Sequence, residues 1–113
     1  MDKSRIFNIL AEAEAKLVTL DEALDSGDAE AANWIFLILL GVIQDLQRLA
    51  EEEPIPPEID KQKLSATFQT ALNAVGEGRV GIEEGEYRLT RSDTVLLCLA
   101  LQDIREIIST TPR

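Results

Sequence analysis

Trp34-Ile35-Phe36-Leu37-Ile38-Leu39-Leu40-Gly41-Val42-Ile43 is apolar at every position. A helix on the outside of a domain needs only one apolar stripe. A helix built from this run is apolar all round, so something must cover every side of it. Val95-Leu96-Leu97-Cys98-Leu99-Ala100-Leu101 repeats the problem near the other end of the chain. A chain of 113 residues makes one domain and buries roughly two thirds of its unfolded surface. Two such helices exceed what that core covers alone. The sequence therefore predicts association with a second copy or another protein. Trp34, Phe36, Ile38 and Leu40 are expected on the seam, with Leu97 and Leu101 near it.

Outward from the run, the chain reads as helices. Ile6, Ile9, Leu10, Ala13, Leu17, Leu20 and Leu24 recur at spacings of three and four, which predicts a helix over residues 3–24. Asp25-Ser26-Gly27-Asp28 breaks it. Gly27 suits the left-handed position past a helix end, and Asp28 suits the cap of the next helix. So short a break makes an antiparallel pair. The second helix is predicted over 29–51. Gly41 costs it about 1 kcal/mol relative to alanine, and a close helix crossing is the expected reason for it.

Glu51-Glu52-Glu53-Pro54-Ile55-Pro56-Pro57-Glu58 reads as a stiff acidic connector, because proline lacks the amide and restricts the residue before it. Its Pro-x-x-Pro pair has acids where partners of such motifs usually want bases. Leu64, Phe68, Ala71, Leu72 and Val75 mark a third helix over 60–75, ended by Gly76. In 79–89, Val80 alternates with Ile82 and Tyr87 with Leu89. That pattern fits a short β-hairpin or an irregular loop. A fourth helix is expected over 92–108, opened by a Thr90-to-Asp93 capping box and carried on by Ile104, Ile107 and Ile108. The expected fold is an all-α four-helix bundle, one domain over 1–113, with a short irregular or hairpin insert between helices 3 and 4.

The formal charge of −10 repels phosphate backbones and anionic lipid. No direct nucleic-acid partner and no membrane partner are expected. The ten-residue run falls short of the roughly 20 residues of a bilayer span. Lys3 and Arg5 are followed by Glu12 and Glu14, where a leader would be apolar. Cys98 is the single cysteine, so no internal disulfide forms, and a reducing, cytoplasmic setting is expected. Among leucines, it reads as a buried, inert thiol.

Chemistry-bearing patterns are sparse. Gly76-Glu77-Gly78-Arg79-Val80-Gly81 matches G-x-G-x-x-G, but it follows a helix and lacks the strand-to-helix setting of a nucleotide fold. It reads as a helix stop and a flexible turn. Asp21, Glu22, Asp25, Asp28 and Glu30 lack the loop and closing acid of a calcium site and read as caps and solvated acids. There is no histidine. Glu83, Glu84 and Glu86 are carboxylate candidates by density alone. No catalytic, cofactor or metal residue is assigned, and no enzyme is expected. The leading expectation is a non-catalytic protein-binding module, adaptor or regulator, that is homodimeric. The alternative is an acidic inhibitor of a basic nucleic-acid-binding protein, with Glu51, Glu52, Glu53, Glu58, Glu83, Glu84 and Glu86 standing in for phosphates.

Overall fold

The structure is a computed structural model and describes residues 1–52 and 54–109. Four helices account for nearly all of it: α1 (Lys3–Asp25), α2 (Ala29–Ala50), α3 (Lys61–Glu83) and α4 (Tyr87–Ser109). No strand occurs among the described residues. Aspartates start three of the helices. Asp2, Asp28 and Asp60 each accept from the amide three residues on, at 3.0 Å, which satisfies one orphan donor of the first turn.

The two short links are built alike. Gly27 and Gly85 are the positive-φ glycines, at 71° and 74°. Around Gly27, the Asp28 amide donates to the Ala23 carbonyl at 2.9 Å. Around Gly85, the Glu86 amide donates to the Gly81 carbonyl at 2.7 Å. A left-handed glycine thus closes α1 and α3 in the same way, and the chain turns back within three residues.

The second link is the short irregular insert expected between helices 3 and 4, but smaller than residues 79–89. Gly76 does not end α3, and the insert shrinks to Glu84-Gly85-Glu86; no hairpin forms. The alternation of Val80 and Ile82 is a sample of helix faces, with Val80 out and Ile82 in. The G-x-G-x-x-G segment lies wholly within α3. Two of its glycines are contact points. A Cβ on Gly78 would lie 2.6 Å from Phe36 Cζ of α2, and one on Gly81 would collide with Thr90 Oγ1 of α4. Thr90 does not cap α4; it is buried in its first turn, where its hydroxyl donates to the Gly78 carbonyl at 3.1 Å.

Each helix packs on two neighbours: α1 on α2 and α4, α3 on α2 and α4. The pairs α1/α3 and α2/α4 sit across the bundle from one another. Side chains fix the antiparallel sense. Arg105 near the end of α4 donates through Nη2 to Glu14 Oε1 at 2.7 Å, and Arg91 near its start pairs with Asp25 at the end of α1. Arg79 near the end of α3 donates to Asn33 near the start of α2 at 3.3 Å.

The core is one continuous cluster. Ile6, Leu10, Leu20, Phe36, Leu39, Ile43, Leu46, Leu64, Phe68, Leu97, Leu101 and Ile104 are its largest fully buried side chains. Phe36, Leu97 and Leu101 are thus core residues and not interface residues. Packing buries one side of α2 and of α4 and leaves the rest of each apolar run outside. Gly41 is also corrected: it is exposed, and a Cβ there meets nothing within 4 Å. At 22 residues, α2 is longer than its apolar run. By length and composition it is the one helix among the described residues able to cross a membrane. In the bundle it buries Ala32, Ile35, Phe36, Leu39, Ile43, Leu46 and Ala50 in the core.

Candidate functional site

Two outward helix faces remain apolar. On α2, Trp34 is 62% exposed, Ile38 43% and Leu37 36%. On α4, Val95, Leu96 and Leu99 are exposed, with Leu89 two turns earlier. Val18 of α1 and Val80 of α3 extend that face on either side. Because α2 and α4 are diagonal, the two faces look in opposite directions. The single seam expected to combine Trp34 with the Val95–Leu101 segment is therefore split into two surfaces. Leu40 lies half-buried against the core.

Three clefts adjoin the α4 face, the smallest of them, of about 330 Å³, under Leu96 and Leu99 against Ala66, Thr67 and Thr70 of α3. One, of about 420 Å³, lies between α1 and α4 and is lined by Leu17, Val18, Val95, Cys98, Leu99 and Gln102 among others. Cys98 is half-buried on its wall and accepts from Gln102 Nε2 at 3.8 Å, so the expectation of a deeply buried thiol is corrected. Leucines flank it in sequence, yet the helix turns it toward the cleft rim. The largest, of about 570 Å³, lies between α3 and α4. Leu72, Gly76, Val80 and Leu89 give its apolar lining, and Asn73, Glu77, Glu84, Ser92 and Asp93 its polar one.

Asp93 is the unusual ionisable group. It is only 7% exposed. Its carboxyl is pushed up to about 6, first by burial, then by donating to the Glu77 carboxylate, then by the charge of Glu77. The sequence places Asp93 as the partner of Thr90 in a capping box. Its signal was spacing: with Thr90, Thr94, Leu97 and Leu101 it falls on the core stripe of α4. Two carboxyls that share a proton in a cleft resemble an acid–base pair in kind, but no cysteine, lysine or arginine lines this cleft. Among the described residues no group of three metal-ligating side chains converges.

The Asp93–Glu77 pair makes a stability prediction. Because the folded pKa of Asp93 is raised, its favourable contribution is present in acid and lost as pH rises through about 6. Asp93→Asn should therefore match the wild type near pH 4 and exceed it near pH 8, by on the order of 2 kcal/mol. Urea unfolding at the two pH values checks this. A variant less stable than the wild type at pH 8 would contradict it.

The acids of the alternative reading do not share a face. Glu51 and Glu52 lie beyond α2 and Glu58 precedes α3, while Glu83, Glu84 and Glu86 lie at the opposite end of α3. A 23-residue helix, about 35 Å long, separates the groups. Glu58 is half-buried and pairs with Lys3 at 3.9 Å. Glu53 lies outside the described residues. No protein-family model, no curated protein and no solved structure matches the chain.

Proposed function

We propose that this chain is a non-catalytic protein-binding module, an adaptor or regulator, that works as a homodimer in the cytoplasm. The observation that carries the reading is the pair of apolar outward faces, Trp34, Leu37 and Ile38 on α2 and Val95, Leu96 and Leu99 on α4. Single exposed leucines are ordinary on any soluble protein; neighbouring ones grouped on one helix face mark a contact surface. Two faces pointing apart supply two contacts, one for a second copy and one for another protein. The inhibitor reading needs phosphate-like acids along one surface, and their separation to the two ends of α3 leaves it without support.

Light scattering at low micromolar concentration should give about twice the 12.5 kDa chain mass. The dimer should persist in about 1 M salt, where charges are screened beyond about 3 Å. Immobilised wild type should then retain a partner from cell extract through the high-salt wash, and a Leu96→Glu/Leu99→Glu variant should lose it. A monomer at low and high salt would reject the homodimer. Equal retention by both proteins would reject the α4 face.

A further inference from the structure

On the outward face of α2, Glu30, Trp34, Leu37, Gly41, Gln44 and Arg48 are all exposed. They are spaced four, three, four, three and four residues apart. That alternation is the seam of two helices packed side by side. It also reads the same in reverse, so a second copy laid antiparallel can bring its own stripe into register. With a two-fold axis level with Leu39, Glu30 meets Arg48 of the second copy, Trp34 meets Gln44, and Leu37 meets Gly41.

Each meeting is complementary. An acid faces a base at both ends of the seam. The indole N–H of Trp34 faces an amide oxygen able to accept it. Leu37 faces a glycine over which the surface is open, since a Cβ there meets nothing within 4 Å. In-chain partners do not compete strongly. Arg48 pairs with Asp45 at 3.2 Å, but both side chains are mostly exposed, and such pairs hold weakly. A parallel copy would instead set Glu30 beside Glu30 and Arg48 beside Arg48.

We infer that the outward face of α2 is a two-fold seam for a second copy of this chain, antiparallel, with Leu37 seated over Gly41 of the partner helix. The inference rests on the homodimer reading and specifies its surface and polarity. Gly41, a cost to the helix within one chain, then has a use between two chains.

The test is a charge swap read as dimer dissociation constants by sedimentation, with helix content checked by circular dichroism. Glu30→Arg and Arg48→Glu should each weaken the dimer about tenfold, because two attractive contacts per dimer become repulsive. Mixing the two variants in equal amounts should restore wild-type affinity, since every end pair is then acid with base. Gly41→Leu should weaken the dimer at least tenfold while leaving the helix content intact. Dissociation constants unmoved by these three changes, or a mixture no tighter than its components, would overturn the seam. In that event a wild-type dimer would leave the homodimer reading standing. A wild type monomeric at every concentration would overturn both.

Discussion

Phe36→Ala should cost about 3–5 kcal/mol of folding stability, and Trp34→Ala, two residues away, should leave the fold of the single chain within about 0.5 kcal/mol. The ring of Phe36 is fully buried between α2 and α3, and removing it leaves a void that the bundle closes only in part. A domain of this size has a total stability of about 5–15 kcal/mol, so a large share would go. Trp34 stands mostly in solvent on the other side of the same helix. Urea unfolding at concentrations below dimer dissociation separates the two effects. A Phe36→Ala protein as stable as the wild type would mean that the helix is rotated relative to this packing.

The glycines of α3 should respond with opposite signs. Gly78→Ala places a methyl 2.6 Å from Phe36 Cζ and 2.9 Å from Cε1, against a ring that is fully buried. The cost of overpacking, about 1–3 kcal/mol, outweighs the gain of about 1 kcal/mol in helix propensity. Gly81→Ala should behave likewise or worse, because it displaces Thr90, whose hydroxyl is tied to the Gly78 carbonyl. Gly76→Ala meets nothing within 4 Å and should stabilise α3 by about 1 kcal/mol. Thermal melts should show the first two below the wild type and the third above it, by roughly 4 °C per kcal/mol. A Gly81→Ala protein that melts above the wild type would refute close packing of α3 on α4.

Local chemistry made much of this fold readable. The spacing of Ile6, Ile9, Leu10, Ala13, Leu17, Leu20 and Leu24 marks the core side of α1, and all but the half-buried Ile9 are buried. Asp28 caps α2 and Gly27 takes the left-handed position, both as their side chains dictate. The second turn uses the same chemistry. Glu84-Gly85-Glu86 repeats Ser26-Gly27-Asp28, a polar residue, glycine and an acid, and folds the same way. The weak alternation around it competed with that signal. Three glycines in six residues read as a stop, because propensity counts each glycine as a loss and carries no record of what packs against it.

The rest was decided between helices. A run that is apolar on every side states that burial is needed without stating which side receives it. Packing chose Phe36 and Leu39 for the core and left Trp34, Leu37 and Ile38 outside. Asp93 is raised by walls that α3 and α4 build together. The acids read as one face were divided between the two ends of α3, since distance along a chain gives no direction in space. Sequence by itself determined four helices, the Asp28 cap and the turn at Gly27, because those depend on residues within one or two turns of each other. Tertiary structure alone decided which apolar face is core, which glycines are contacts and which carboxyl is buried, because each depends on the rotation of one helix against another.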